Sequence, residues 1–264
     1  MELKNRVAIV TGASEGIGAA LARHLVEQGA RVVLGARSAE KLRALAEHLG
    51  EERVLAVPTD VTEPAQVENL VARAVEHFGG LDILVNNAGV GLYGPIAETN
   101  WEHFRHMWEV NFFGAVRCTV AALPHLKARR GVVVNISSVA GKIPVPYMAG
   151  YCASKSALNA LSDGLRMELA RAGVRVVTIC PGTVRTQFRM SAFRDGKNLP
   201  VVFQQQEITG ISADAVAQAT LRAVQRGQRE VVLPFRLRLA AEMRRLFPRL
   251  TDSVVGRLVA RGSS

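Results

Sequence analysis

Tyr151 and Lys155 are the two residues whose types and spacing most directly indicate proton chemistry. They stand four positions apart, so on a helix their side chains share one face, a turn away from each other. A phenol, with a pKa of about 10, is a poor base near neutrality, but a nearby ammonium stabilises the phenolate and lowers that pKa. The spacing therefore predicts an acid/base pair able to protonate an oxygen on which negative charge develops.

A glycine-rich segment near the start of the chain could hold a phosphate. It runs from Thr11 to Gly18 with the spacing TGxxxGxG, after a short apolar run and before a helical pattern. Glycine lacks the Cβ that would keep a pyrophosphate away from backbone N–H groups at a helix start. The spacing departs from the GxGxxG fingerprint, so by itself it indicates either a phosphate site or an ordinary turn.

Apolar, strand-like runs alternate with helix-length segments along the chain and would position these residues. The runs are 6–11, 31–34, 54–57, 81–85, 131–136, 174–179 and 230–233. Continuous apolar strands are buried on both faces, and helices between them make right-handed crossovers. We therefore predict an α/β fold with a doubly wound parallel sheet, whose ligands lie beyond the carboxyl ends of the strands. Ser38 and Ser212 are expected to cap two of the helices.

Composition narrows the class of protein. Hydrophobic residues make up 48% of the 264 positions, and no Pro/Ser/Gly-rich linker divides them, which predicts one domain. The first residues lack the apolar stretch of a signal peptide, and no run of about 20 apolar residues indicates a membrane-spanning helix. Cys118, Cys152 and Cys180 are odd in number and widely spaced, which favours reduced thiols and a cytoplasmic location.

The formal net charge of +10 does not by itself identify a partner. Lysine and arginine are spread over the chain without a run of five or more basic residues, so nucleic-acid binding is not predicted. A positive field also attracts anionic cofactors or acidic partners.

Four further segments accompany the glycine-rich loop in a fixed order. They are Asn86-Asn87-Ala88-Gly89, Ser137-Ser138, Tyr151-xxx-Lys155 and Pro181-Gly182. With the loop, this set resembles the short-chain dehydrogenase/reductase family, and the resemblance runs from Val7 to about Thr186. It implies a Rossmann fold and an enzyme that transfers a hydride between a nicotinamide cofactor and a ketone or secondary alcohol.

The resemblance also implies roles for individual positions. The catalytic residues would be Asn111, Ser138, Tyr151 and Lys155. Ser138 would bond the substrate oxygen, Lys155 the nicotinamide ribose, and Asn111 a water in a proton relay. The cofactor-binding residues would be Gly12, Ser14, Glu15, Gly16, Ile17, Gly18, Arg37, Asp60, Val61, Asn87, Ala88, Gly89, Tyr151, Lys155, Pro181, Gly182, Val184 and Thr186.

The end of the second predicted strand bears on which nicotinamide cofactor is used. An NAD enzyme of this fold has an acid there, whereas an NADP enzyme needs a cation nearby. Ala36 stands at that position and Arg37 follows, and a guanidinium offers paired donors to a 2′-phosphate. We therefore predict NADP(H), with a solvated Arg37 as the alternative. Glu15 in the glycine-rich loop weakens the prediction by adding negative charge.

Four residues near these motifs invite other interpretations. Tyr147 has no lysine four positions later, so we expect a wall of the substrate pocket rather than the acid. Cys152 has no neighbouring base and is interpreted as a small buried apolar residue. His103 and His106 have no carboxylate or third histidine grouped with them, so no metal site is predicted.

The C-terminal third carries two further predictions. In the family a lid covers the substrate, here near 187–212, and its aromatic residues favour a fairly apolar substrate, although an ordinary surface insertion is the alternative.

Residues 1–234 would form the catalytic domain and 235–264 an amphipathic helical extension. Its stripes are Leu239, Met243, Leu246, Phe247 and then Val254, Val255, Leu258, Val259. Packing against the body or a second subunit is favoured over contact with an anionic membrane surface.

The leading function is an NADP(H)-dependent ketone reductase or alcohol dehydrogenase. Two alternatives stay open: a 3-oxoacyl-carrier-protein reductase, and a non-catalytic NADP-sensing regulator. The intact catalytic positions favour an enzyme. The family also implies a homodimer or homotetramer, formed by the helices that follow Asn111 and Tyr151.

Overall fold

A parallel β-sheet forms the centre of the protein. The computed structural model describes residues 1–197, 199–204 and 210–261, and in these the sheet has seven strands. They are β1 (Val7–Thr11), β2 (Arg31–Ala36), β3 (Val54–Pro58), β4 (Ile83–Asn86), β5 (Val132–Ile136), β6 (Arg175–Pro181) and β7 (Glu230–Leu233). Their order is β7-β6-β5-β4-β1-β2-β3, with every neighbouring pair parallel. The predicted doubly wound α/β fold is confirmed, and its strand order reverses between β1 and β4.

Helices cover both faces of this sheet. They are α1 (Gly16–Glu27), α2 (Ala39–Leu49), α3 (Pro64–Phe78), α4 (Trp101–Trp108), α5 (Ala115–Arg129), α6 (Ala149–Glu168), α7 (Val201–Gln204), α8 (Ala213–Arg226), α9 (Phe235–Leu246) and α10 (Pro248–Arg261). Ala8 and Val10 of β1 pack into the core under α1, α2 and α8, whereas Val7 and Ile9 pack into the core under α3 and α5. Because successive side chains of a strand point to opposite faces, this accounts for the continuous apolar pattern.

Several predicted boundaries differ from the observed ones by a few residues. β4 begins at Ile83 rather than at 81, and just before it the buried carboxylate of Asp82 accepts hydrogen bonds from Arg6 Nη1 at 2.8 Å and Val7 N–H at 3.0 Å. The predicted serine caps are present: Ser38 accepts from Lys41 N–H and Ser212 from Ala215 N–H.

A π-helical segment, Glu109–Gly114, connects α4 to α5. The helical pattern of the sequence runs through this region without a signal that the hydrogen-bond spacing changes. π-Turns within helices occur frequently at functional sites. This segment contains Asn111, which the family resemblance places in the catalytic set.

The C-terminal extension consists of α9 and α10, with Phe247 between them. The residues that pack against the body are Leu237, Ala240, Ala241, Val255 and Val259. Of the predicted stripes, only Val255 and Val259 pack in this way, and the others are exposed. Among the described residues, no helix is long and apolar enough to cross a membrane.

Candidate active site

The glycine-rich loop between β1 and α1 leaves a helix N-terminus open. α1 begins at Gly16, and its N-cap Glu15 makes no capping bond through its side chain, unlike the serines that cap α2 and α8. Gly12 and Gly16 have φ values of 63° and 58°, in the left-handed region that favours glycine. A Cβ on Gly18 would lie 2.3 Å from the Gly12 carbonyl oxygen. The loop therefore fits a phosphate group bound by backbone N–H groups.

Asn87 fixes this loop to the end of β4. Its Nδ2 donates to the carbonyl oxygens of Thr11 and Gly12 at 2.9 and 3.1 Å. In return, Thr11 Oγ1 accepts from the backbone N–H groups of Asn87 and Ala88 at 3.0 and 3.1 Å. The segment from Asn87 to Gly89 is thereby held beside the loop, as expected for the floor of a cofactor site.

A small pocket of about 70 Å³ lies next to this floor. It is lined by Arg37, Thr59, Asp60, Val61, Gly89, Val90 and Val110. Asp60 Oδ1 accepts from the N–H and hydroxyl of Thr62 at 2.9 and 2.8 Å, which fixes the turn after β3. The structure thus brings together Arg37, Asp60 and Gly89, which the resemblance assigned to one cofactor.

An ion pair that the sequence did not predict spans the loop and α2. Lys41 Nζ lies 2.8 Å from Glu15 Oε2, and this hydrogen bond raises the pKa of Lys41. The negative charge of Glu15 is therefore met by a cation, although it was expected to oppose an anionic ligand. The partners are 26 positions apart, so no local spacing reveals the pair.

Tyr151 and Lys155 lie in the first two turns of α6 and are both buried. Lys155 Nζ is 5.9 Å from the centroid of the Tyr151 ring and donates to the carbonyl oxygen of Ile136, the last residue of β5, at 3.1 Å. Ser138 follows β5, and its hydroxyl forms a hydrogen bond with the Tyr151 hydroxyl. The predicted acid, ammonium and serine therefore meet at the carboxyl end of β5.

Burial sets the protonation of these groups. It raises the pKa of Tyr151 above its usual range, and the hydrogen bond with Ser138 only partly opposes this. The spacing predicted that Lys155 would lower the Tyr151 pKa, but burial outweighs such an effect in this geometry. Burial also lowers the pKa of Lys155 to about 8. Near neutrality, the site therefore holds a protonated phenol beside an ammonium.

Asn111 is buried in the π-helical segment and links it to the catalytic helix. Its Oδ1 accepts from Val90 N–H at 2.8 Å, and its Nδ2 donates to the Val90 carbonyl at 3.0 Å and to Ser154 Oγ at 3.2 Å. Ser154 Oγ donates in turn to the Tyr151 carbonyl at 2.8 Å. The amide of Asn111 thus holds the loop after β4 against α6.

The segment after β6 faces the glycine-rich loop. Pro181 ends β6, Val184 lies in a two-residue strand, and Thr186 begins a short 3₁₀ turn. Thr186 Cγ2 is 3.2 Å from where a Cβ on Gly16 would lie, so this segment closes one side of the site. Gly182 N–H donates to the Leu233 carbonyl at 2.7 Å.

The residues with other interpretations lie around this site. Tyr147 packs against Phe203, with 6.1 Å between the ring centroids. Cys152 is buried, which raises its pKa. His103 Nδ1 lies 2.8 Å from Asp195 Oδ1, and among the described residues no group of three metal-binding side chains occurs.

The described part of the predicted lid lies over Tyr151. The Phe188 ring centroid is 6.0 Å from that of Tyr151, and the two-residue strand Phe193–Arg194 pairs with Leu92–Tyr93. Tyr93, missed by the sequence reasoning, is buried, which raises its pKa, and Arg194 lies over its ring at 5.9 Å. Positions 198 and 205–209 of the predicted lid lie outside the described residues.

Comparison with known proteins identifies the family. The short chain dehydrogenase family model matches residues 6–197. The dehydrogenase/reductase SDR family member 7B of Bos taurus is 34% identical over 258 residues, which cover 94% of this chain and 79% of that protein. The chain therefore belongs to the short-chain dehydrogenase/reductase family of oxidoreductases.

Two solved structures show nicotinamide cofactors on the same fold. The alcohol dehydrogenase from the archaeon Thermococcus sibiricus, complexed with 5-hydroxy-NADP, has a TM-score of 0.75 and 33% identity, with 86% of this chain and 95% of that one covered. A short-chain dehydrogenase/reductase from Burkholderia phymatum, in complex with NAD, has a TM-score of 0.86 and 28% identity, with 95% of this chain and 96% of that one covered. Relatives thus bind either cofactor, and the choice must come from residues of this chain.

Proposed function

We propose that this protein is an NADP(H)-dependent reductase that converts a fairly apolar ketone to a secondary alcohol. One observation carries the proposal: a buried phenol lies beside a buried ammonium and a serine hydroxyl, next to a loop that fits a dinucleotide. Reduction of a carbonyl needs a proton donor at its oxygen, and the neighbouring ammonium stabilises the phenolate that remains after the Tyr151 phenol has given up its proton.

Each catalytic residue has a distinct role in the proposed reaction. The nicotinamide cofactor supplies the hydride. Ser138 donates a hydrogen bond to the carbonyl oxygen and so stabilises the charge that develops there. Tyr151 gives that oxygen its proton, and the ammonium of Lys155 stabilises the resulting phenolate and binds the nicotinamide ribose. Asn111 keeps the loop after β4 against α6, which fixes the distance between cofactor site and phenol.

The preference for NADP(H) is proposed from charges around the cofactor pocket. β2 ends at Ala36, so no carboxylate stands at the position of the NAD-type acid, and Arg37 lines the pocket beyond it. The pairing of Glu15 with Lys41 offsets the nearest negative charge. A 2′-phosphate could accept paired hydrogen bonds from the guanidinium of Arg37.

Steady-state kinetics with NADPH and NADH test this preference. Arg37→Ala should raise the Michaelis constant for NADPH at least about tenfold, because each hydrogen bond to a charged group contributes roughly 1.5–3 kcal/mol. The Michaelis constant for NADH should stay nearly constant. Arg43→Ala, on the exposed side of α2, is the matched control and should change neither. A wild type that prefers NADH, or an equal loss with both cofactors, would contradict the proposal.

A panel of ketones, aldehydes, quinones and acyl-thioesters, followed through NADPH absorbance, tests the substrate class. The aromatic and apolar side chains around Tyr151, among them Phe188 and Met148, support an apolar carbonyl substrate. Activity confined to acyl-thioesters would instead indicate the 3-oxoacyl-carrier-protein reductase. NADPH binding without turnover on any carbonyl would indicate the regulator.

The quaternary structure and location are also proposed. Val120 on α5 and Met167 on α6 are 62% and 74% exposed, on the two helices that the resemblance predicts to pair across a two-fold axis. Large apolar side chains at these positions support a homodimer or homotetramer. All three cysteines are buried and free, which supports a reducing, cytoplasmic environment.

A further inference from the structure

The C-terminal helices α9 and α10 each have two apolar stripes, one turned inward and one turned outward. The inner stripe packs against the body: Leu237, Ala240, Ala241 and Val255 join a cluster with Val139, Ile143, Cys180 and Val232. Val259 joins the cluster that contains Tyr147 and Phe203 at the predicted lid. The inner stripe already accounts for the attachment of both helices to the body, so the outer stripe needs a separate explanation.

The outer stripe is formed by large side chains that remain exposed. They are Phe235, Leu239, Met243, Leu246, Phe247, Leu250, Val254 and Leu258, with exposures between 44% and 69%. Phe235, Leu239 and Met243 follow each other at intervals of four residues, as do Leu250, Val254 and Leu258, so each set lies along one side of its helix. A contiguous exposed apolar surface of this kind marks a site of association with a partner or a membrane.

The charges of this segment are predominantly positive. Residues 235–261 contain seven arginines and two carboxylates, Glu242 and Asp252, and no lysine. Asp252 is already paired, because Arg244 Nε lies 3.3 Å from its Oδ1. At about 100° per residue, Arg236 lies on one side of the outer stripe of α9, and Arg238 and Arg245 lie on the other. The apolar stripe therefore has cations on both sides, and Glu242 lies among them on the side of Arg238 and Arg245.

We propose that the outer face of α9 and α10 binds an anionic lipid surface, with α9 lying in the plane of the interface. An amphipathic helix with apolar residues on one face and basic residues at its borders buries the first among acyl chains and places the second at headgroup phosphates. Long arginine side chains can reach the headgroups while their stems cover apolar surface.

A second copy of the chain fits this face less well. A two-fold contact places the same patch of both subunits together, so Arg236, Arg238 and Arg245 of one copy would come close to those of the other. These three cations outnumber Glu242, so the net charge of the face opposes association with a second copy. An anionic bilayer supplies both the apolar phase and the opposite charge, and it needs no complementary protein shape.

The proposed attachment would also bring the substrate side of the enzyme close to the lipid. Val259 of α10 packs against the cluster of Tyr93, Ala192 and Phe203, and Leu237 of α9 lies beside Gly182 after β6. An apolar substrate dissolved in the bilayer would then have a short path to the site. The docking surface itself does not depend on the proposed catalytic function, because it rests on exposure and charge alone.

Co-sedimentation of the full chain with vesicles, without cofactor or substrate, tests the proposal. The chain should bind vesicles of mixed phosphatidylglycerol and phosphatidylcholine, bind pure phosphatidylcholine at least about tenfold more weakly, and dissociate as salt rises from about 0.1 to 0.5 M. The double variant Leu239→Glu/Leu250→Glu should weaken binding to the anionic vesicles at least about tenfold. Ile96→Glu, at a residue equally exposed outside the extension, should leave it unchanged.

Arg238→Glu/Arg245→Glu is a second variant that alters charge without touching the apolar stripe, and it should weaken binding to the anionic vesicles alone. Far-UV circular dichroism shows whether each variant is folded. If the leucine double variant does not fold, the arginine double variant, here called the charge variant, tests lipid binding by itself. Failure of the wild type to bind anionic vesicles would overturn the proposal. So would unchanged vesicle binding by the charge variant, or a change of oligomeric mass in place of vesicle binding.

Discussion

Tyr151 is buried with its hydroxyl against Ser138, and its role as proton donor can be tested by removing that hydroxyl alone. Tyr151→Phe keeps the ring that packs near Phe188, so the site should keep its shape. We expect the turnover rate to fall about 10²–10⁴-fold, the range supplied by general acid catalysis. NADPH affinity, measured by fluorescence titration, should stay within about twofold of wild type. Retention of most of the turnover would remove Tyr151 from the mechanism.

Lys155 should give the enzyme a characteristic pH dependence. Burial lowers its pKa to about 8, so the ammonium is present below that pH and is lost as the pH rises through it. The value of kcat/KM for NADPH reports groups of the free enzyme, and it should be level near pH 7 and decline above pH 8. Lys155→Ala should weaken NADPH binding and remove this decline. A wild-type profile level from pH 7 to pH 9.5, about one and a half units above that pKa, would contradict the assignment.

The three charged residues around the proposed 2′-phosphate site, Arg37, Glu15 and Lys41, illustrate what residue types alone can predict. Arg37 directly follows a strand end, so its position was predictable from the order of elements. The pair between Glu15 and Lys41 was not, because the two residues meet only after β1–α1 and β2–α2 have packed side by side. The direction of the pKa shift of Tyr151 was also predicted wrongly, because the cost of burying the phenolate depends on neighbours far apart in sequence.

At the scale of elements, the lid is held to α4 by hydrogen bonds. The imidazole of His103 in α4 is hydrogen-bonded to Asp195 after the strand Phe193–Arg194, and the other oxygen of Asp195 accepts from Asn100 N–H at 2.9 Å. A side-chain hydrogen bond contributes about 1 kcal/mol, so His103→Ala should raise the Michaelis constant for the carbonyl substrate about two- to fivefold. The Michaelis constant for NADPH should not change.

His106→Ala is the matched control for this substitution. His106 contacts the same Phe193 ring edge-on, whereas His103 stacks on it and also pairs with Asp195. Equal effects of the two substitutions on the Michaelis constant would mean that ring packing, rather than the hydrogen bond between His103 and Asp195, holds the lid.

The elements themselves were largely predictable, and the exceptions have physical reasons. Strands such as β1 and β5, buried on both faces, have continuous apolar sequences that leave little ambiguity. The π-helical segment Glu109–Gly114 was missed because no residue type signals the change in backbone hydrogen-bond spacing that defines it. The extension was predicted as helical with two apolar stripes; Val255 and Val259 pack against the body, whereas Leu239 is exposed, because side-chain size alone does not show which side of a helix faces the body.

At the scale of the whole molecule, the oligomer and the lipid surface are predicted to use different faces. Val120→Glu or Met167→Glu should reduce the mass found in sedimentation velocity to that of one chain, because each places a charge in the proposed two-fold contact. Vesicle binding by the separated subunit should persist, though more weakly. Leu239→Glu serves as the reciprocal control and should leave the mass unchanged. A monomeric wild type at micromolar concentration would contradict the proposed oligomer.

The uncapped N-terminus of α1 means that binding of the nucleotide cofactor should also stabilise the folded protein. Amides that no side chain caps are exposed to solvent until an anion meets them, so the nucleotide completes a helix that the polypeptide leaves unfinished. A ligand that binds only the folded form, at a hundred times its Kd, adds about 2.7 kcal/mol to the free energy of unfolding. The supply of reduced dinucleotide would then govern how long each molecule survives proteolysis as well as how fast it turns over.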